Sequence, residues 1–216
     1  MAKIKGFIFD LDGVITDTAE YHYLGWQQLA DEEGLKFDRE FNEKFRGVSR
    51  MRCLDMLLGK NNRTVTSKER IELADRKNKY YQKYLENITK ENLLEGIEDI
   101  LNTVKKEGYK MAIASASKNT ETVVKKLNIR DMFDTISDGY SVKNTKPAPD
   151  LFLHTADKLG LKPEECVVFE DAKAGIDAAL AANMTAVGIG PEERVGHAHY
   201  RFDNVNEVQL EKILSE

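Results

Sequence analysis

Apolar residues change rhythm twice along this chain. The first run, residues 4–9 (Ile-Lys-Gly-Phe-Ile-Phe), has strand length and stops abruptly at Asp10-Leu11-Asp12-Gly13, which predicts a buried strand delivering two acids at its carboxyl end. Behind it the spacing turns helical. Thr16, Asp17 and Thr18 offer N-caps for a helix carrying Tyr23, Trp26, Leu29 and Ala30, ending near Gly34. Asp38 opens a short helix over 37–45, Gly47-Val48-Ser49-Arg50 reads as a loop, and Leu54, Leu57 and Leu58 mark a helix over 51–58. From Ser67 a longer helix places Ile71, Ala74, Asn78, Tyr81 and Leu85 at three- and four-residue spacing. No strand is expected between 17 and 90.

From Leu93 onward helices and strands alternate, as in a mainly parallel sheet. Helices are expected over 97–106, through Val123, Val124 and Leu127, up to Leu159, and over 172–182 and 205–214. Strands are expected at 111–114, 135–137, 166–169 and 185–188. The predicted fold is α/β, a Rossmann-like, mainly parallel sheet core over 1–16 and 91–216. An all-helical cap domain, 17–90, is inserted just after the first strand.

Charge narrows the partners. The net charge is −5 with 32% charged residues, and no cluster of Lys and Arg marks a nucleic-acid footprint. Cys53 and Cys166 lie far apart in apolar surroundings, which reads as packing in a reducing compartment and not as a disulfide. The chain enters its first strand almost at once, and no apolar run is long enough to span a bilayer. A soluble, cytoplasmic protein without a membrane or nucleic-acid partner is expected. His197 and His199 alternate as metal ligands can, but no acid or cysteine adjoins them in sequence, so a surface loop is the expectation. Gly188-x-Gly190 lacks the third glycine of a dinucleotide fingerprint.

Three strand ends collect reactive groups: Asp10 and Asp12, then Ser115 with its polar followers, then Glu170-Asp171. Lys146 precedes Pro147-Ala148-Pro149, which stiffens the loop presenting it. Carboxylates converging in one crevice repel each other unless a cation sits between them, and hard oxygen ligands suit Mg²⁺. Carboxylates, Mg²⁺, a lysine and a serine hydroxyl together suit phosphoryl transfer. No Ser/His pair or Gly-x-Ser-x-Gly elbow supports acyl transfer instead.

In order, Phe9-Asp10-Leu11-Asp12-Gly13-Val14, Ser115, Lys146-Pro147 and Glu170-Asp171 resemble the four motifs of the haloacid-dehalogenase superfamily. The resemblance implies that Asp10 is the nucleophile, forming an aspartyl-phosphate, and that Asp12 is the general acid/base. It implies Mg²⁺ held by Asp10, the backbone carbonyl of Asp12, Glu170 and Asp171, with Ser115 and Lys146 gripping the transferring phosphoryl group. The stretch from Asp10 to His22, together with Gly47-Val48-Ser49-Arg50, Arg76-Lys77-Asn78, Ala114-Ser115-Ala116-Ser117-Lys118-Asn119 and Lys146-Pro147-Ala148-Pro149-Asp150, is similar to the superfamily's sugar-phosphate mutases. Residues 140–145 are less like them.

The narrower resemblance implies interconversion of β-glucose 1-phosphate and glucose 6-phosphate through β-glucose 1,6-bisphosphate, by a monomer acting on small sugar phosphates. Arg50, with Gly47, Val48 and Ser49 before it, would hold the non-transferring phosphate together with Ala116, Ser117, Lys118 and Asn119. His22 would link substrate binding to the swing of Asp12, with Thr16 in the hinge and Lys77 near His22 and the sugar. Trp26 faces either the sugar or the cap core. Two other readings stay open. A related sugar-phosphate phosphatase would share every core residue, and a non-catalytic binding protein would have no use for both Asp10 and Asp12.

Overall fold

The strand β1 (Gly6–Phe9) is wholly buried and alternates its side chains between two apolar layers: Phe7 and Phe9 enter one cluster, Ile8 the other. Full burial of each such side chain contributes roughly 1.5–3 kcal/mol. The computed structural model describes residues 3–215. In it β1 lies at the middle of a six-stranded sheet that is parallel throughout. The other strands are β2 (Lys110–Ala114), β3 (Thr135–Ser137), β4 (Cys166–Glu170), β5 (Thr185–Ile189) and β6 (Tyr200–Phe202), in the order β3-β2-β1-β4-β5-β6.

Register sets the site. Phe9 is paired with Ile113 on one side and Phe169 on the other, so Asp10, Ala114 and Glu170 leave the sheet at one level. The strand order reverses at β1, where crevices open beyond the carboxyl ends of such sheets.

Between β1 and α5 (Ile97–Lys106) the chain is helical: α1 (Ala19–Glu33), α2 (Arg39–Asn42), a short turn of helix at Glu43–Phe45, α3 (Arg50–Lys60) and α4 (Ser67–Leu85). Trp26, Leu29, Phe45, Leu54, Leu57 and Leu73 give this block a core of its own. A reciprocal cap between Thr66 and Glu69 starts α4. The face of α4 is rotated slightly from the expected one. Leu73, Ala74, Lys77, Tyr81 and Leu85 turn inward, Ile71 is 57% exposed, and Asn78 borders the cleft described below. The chain enters and leaves this block side by side: Thr16 and Leu93 form an antiparallel bridge, Leu94 N donates to Ile15 O at 3.0 Å, and the Thr16 hydroxyl donates to Asn92 O at 2.6 Å.

The remaining helices are α6 (Thr120–Lys126), α7 (Asp150–Leu159), α8 (Lys173–Ala181), α9 (Glu192–Val195) and α10 (Leu210–Leu214). The single helix expected over 205–214 is split into a turn at Val205–Glu207 and α10. Strand β6 was not foreseen, since three half-buried residues with arginine at their centre carry little apolar signal. His197, expected to lack an acidic partner, has one in space: its Nε2 is 2.8 Å from Asp177 Oδ1 on α8. His199 Nδ1 accepts from Ala186 N. Both cysteines are free and buried, and burial pushes each thiol up to about 12. No described helix is long and apolar enough to cross a membrane.

Candidate active site

The floor of the crevice is built by strand ends. Asp10, on the residue after β1, is 4% exposed; one carboxylate oxygen accepts from Asp12 N at 3.0 Å and the other meets Lys146 Nζ at 2.5 Å. Lys146 is completely buried and also donates to Glu170 and, at 3.1 Å, to Ala114 O. Burial presses against its charge, but Asp10 and Glu170 outweigh that and hold the ammonium protonated. Ser115, 1% exposed, closes the floor beside Lys146, with Ser117 N donating to its hydroxyl at 3.1 Å.

Asp12 stands above the floor. Gly13 reverses the chain at φ +86°, and a Cβ there would collide with the Asp171 carboxylate, so only glycine serves. The reversal brings the Thr18 hydroxyl onto Asp12 Oδ1. Thr18 therefore makes no side-chain cap to α1, contrary to the expectation from its position. His22 Nε2 lies 3.8 Å from Asp12 Oδ2, an approach too long for a hydrogen bond. Burial works to raise the Asp12 carboxyl, and His22 and Thr18 outweigh it, leaving it below the usual range.

Behind His22 the cap supplies a buried lysine. Lys77 Nζ is 2.9 Å from His22 Nδ1 and 4.9 Å from the ring centroids of both Trp26 and Tyr81. A charged Lys77 can only donate, so in that state Nδ1 is the acceptor and the ring proton is assigned to Nε2, facing Asp12. Burial, then the Lys77 charge, lower the pKa of His22. Burial lowers that of Lys77 to about 7. The His22 ring stacks on Tyr81 with centroids 3.9 Å apart.

Another wall carries a cation whose ion pair is long. Arg50, at the start of α3, lines the cleft with Nε and Nη1 buried and without a hydrogen-bond partner among the described residues, while Nη2 stands 3.8 Å from the exposed Asp75. Gly47, Val48 and Ser49 line the same wall, and Ala116, Ser117, Lys118 and Asn119 line the cleft from the core. Asn119 also ties core to cap: its Nδ2 donates to Asn78 at 2.9 Å, and it accepts from Gln82 Nε2 at 3.1 Å. Desolvated donors that lack an acceptor are costly unless a ligand supplies one, and a phosphate would.

Asp10, Glu170 and Asp171 each offer an oxygen, all within 4.8 Å of one another. Burial, then the neighbouring Glu170, push the Asp171 carboxyl up to about 7, and burial raises Asp10 well above its usual range. Two buried carboxyls that resist their own charge call for a cation, and the three donors are all hard oxygens. The residues present fit a divalent metal.

The expected site residues thus converge, with two qualifications. Thr16 is fully buried, its hydroxyl bonded to Asn92 O and its backbone bridged to Asp12, and its side chain does not line the cleft. Trp26 borders the cleft but is 2% exposed and packed in the cap core against Phe45, so packing is its main part. Four contributors were not foreseen. They are Thr18 on Asp12, Asn78 at the rim, and two arginines near Asp171: Arg46 at 3.2 Å and Arg194 at 4.0 Å. A hydroxyl within reach of the Asp-x-Asp turn was the available signal for Thr18. The arginines had none.

A six-stranded parallel sheet with acids at the switch point and a helical block over them defines an α/β fold with its site at the strand ends, and residues 7–189 match the haloacid dehalogenase-like hydrolase family, to which the chain belongs. Among its relatives, the β-phosphoglucomutase of Bacillus subtilis is 40% identical over 215 residues, covering 99% of this chain and 95% of that one. The phosphorylated carbohydrates phosphatase of Thermotoga maritima is 28% identical, covering 98% and 97%. The crystal structure of a β-phosphoglucomutase from Clostridium difficile superimposes with a TM-score of 0.94 at 43% identity, covering 98% of this chain and 96% of that one.

Proposed function

We propose that this protein is a β-phosphoglucomutase, interconverting β-D-glucose 1-phosphate and D-glucose 6-phosphate through an aspartyl-phosphate and β-glucose 1,6-bisphosphate. The observation that carries the reading is Arg50: a half-buried guanidinium with two buried nitrogens unpartnered among the described residues, lining the same cleft as Ser115 and Ser117. A hydrolase needs one phosphate site. A mutase needs two, because the bisphosphate must rebind the other way round. The full-length similarity to two β-phosphoglucomutases supports the same reading.

In this mechanism the Asp10 carboxylate attacks phosphorus, forming an oxygen–phosphorus bond as the bond to the sugar or donor oxygen breaks. Asp12 gives its proton to the departing oxygen and later takes one from the acceptor hydroxyl. Its depressed pKa suits the base step, and the neighbouring His22 Nε2–H steadies the charge. Ser115 and the Lys146 ammonium offset the charge of the transferring phosphoryl group. Arg50, Ser117, Lys118 and Asn119 hold the other phosphate, while Lys77 fixes the His22 ring. Mg²⁺ held by Asp10, the Asp12 carbonyl, Glu170 and Asp171 would supply charge neutralisation at the phosphoryl oxygens. Residues 17–90 act as the cap that excludes water, hinged where Thr16 bridges Leu93.

The test is to incubate the protein with Mg²⁺, β-glucose 1-phosphate and a trace of the bisphosphate, following glucose 6-phosphate and free phosphate together. Fast glucose 6-phosphate with negligible free phosphate is expected, and Asp10→Asn should abolish it by several orders of magnitude. Free phosphate without isomerisation would mean a phosphatase.

A further inference from the structure

Residues 140–145, where the sequence is least like the sugar-phosphate mutases, contain a side chain placed against a cleft residue, Tyr140 against Lys118. Residues 138–141 form a closed turn: Tyr140 N donates to Asp138 Oδ1 at 2.9 Å, Ser141 N to Asp138 O at 3.0 Å, and Asp138 N to Ser141 Oγ at 3.0 Å. The turn is pressed onto the loop that begins at Ser115. Gly139 N donates to Ser117 O at 3.1 Å, and a Cβ at 139 would stand 2.5 Å from Ala116 O and 3.0 Å from Lys118 Cγ. No side chain fits there without separating the two loops.

The outcome is that Tyr140 is held in place although its side chain is 71% exposed, and Lys118 Nζ sits 4.3 Å from its ring centroid. Lys118 lines the cleft at the same time. A free lysine spreads its ammonium over many rotamers. Laid over an aromatic face it keeps few of them.

We propose that Tyr140 is a positioning residue that pre-orients Lys118 toward the non-transferring phosphate of the sugar phosphate. The proposal rests on the mutase reading for its substrate, but not for its test. An exposed cation–π contact corresponds to about a two- to fivefold effect on an equilibrium constant. The loss should fall on binding and not on the chemical step, since Tyr140 touches neither phosphorus nor the acid/base pair.

The experiment is a double-mutant cycle between Tyr140→Ala and Lys118→Ala, with Tyr140→Phe as the conservative variant. Glucose 6-phosphate affinity is measured by calorimetry, and KM and kcat for β-glucose 1-phosphate by assay. Expected are a two- to fivefold loss of affinity and a matching rise in KM for Tyr140→Ala, kcat within about twofold, near-normal behaviour of Tyr140→Phe, and no further loss when Tyr140→Ala is added to Lys118→Ala. Unchanged affinity in Tyr140→Ala, equal damage from Phe and Ala, or a full additional loss on the Lys118→Ala background would overturn the proposal. Failure of the mutase reading looks different: wild-type protein would release free phosphate, and the calorimetric cycle would still decide the part played by Tyr140.

Discussion

Arg46 Nη1 on the cap lies 3.2 Å from Asp171 Oδ2 on the core. Glu43, 2.8 Å from Arg46 and 3.6 Å from Arg194, completes a cluster in which two arginines share the carboxylate assigned to the metal site. In the metal-free protein these cations offset the buried charge of Asp171. Arg46→Ala should therefore lower the melting temperature more in chelator than in Mg²⁺, where the ion replaces the missing charge. Uncovering a charge of this kind costs roughly 1–3 kcal/mol, or about 2–4 °C per kcal/mol for a chain this long. Thermal unfolding followed by circular dichroism with and without Mg²⁺ checks this, and an equal drop in both conditions refutes it.

Thr18 donates to one oxygen of Asp12 while His22 approaches the other. Thr18→Val keeps the shape and removes the donor. We expect kcat to fall about tenfold, in line with a lost hydrogen bond to a charged group, and KM to stay within about twofold. A fall confined to KM would show that Thr18 serves substrate binding and not the acid/base group.

Removal of the half-buried guanidinium by Arg50→Ala should separate two activities. Transfer to a sugar phosphate should fall by about a hundredfold or more, the range for a charged phosphate contact, whereas phosphorylation of Asp10 by a small acyl phosphate, followed by hydrolysis, should change little. Equal losses in the two assays would remove Arg50 from the second phosphate site.

Lys77 gives a pH signature. Burial holds its pKa at about 7, against an ordinary 10.5. Between those values the unfolded chain carries a proton that the folded chain lacks, so stability rises with pH through the window by at most about 1.4 kcal/mol per unit. Below about pH 7 both forms are protonated and the cost of burying the charge is borne in full. Lys77→Met should flatten the profile and be more stable than wild type at pH 7. Urea midpoints at pH 7 and pH 9 for both proteins test it, and parallel profiles would refute it.

The core of this fold is legible in sequence because β1 is short, apolar and buried on both faces, and because parallel strands in register bring their acids to one edge. The meeting of Asp10 and Glu170 follows from that edge. What escaped reading depends on tertiary distance or on small rotations. Arg46 and Asp171 are 125 positions apart, and nothing local marks either as the partner of the other. Thr18 stands where a helix cap belongs, but the reversal at Gly13 offers its hydroxyl a charged acceptor that a cap does not. Ile71 fits a three-residue spacing to Ala74, yet α4 buries Leu73 beside Ala74 and leaves Ile71 exposed, since 3.6 residues per turn carries position 71 off the face.

Trp26 is the only tryptophan in the chain. It lies between the Lys77 ammonium, the Phe45 ring and the wall of the cleft. Indole emission from this protein therefore comes from a single place, packed against Phe45, the residue before the cap arginine on Asp171. Deprotonation of Lys77 and undocking of the cap each change the field around that ring, so both events can be timed in a stopped-flow fluorimeter on the unlabelled protein.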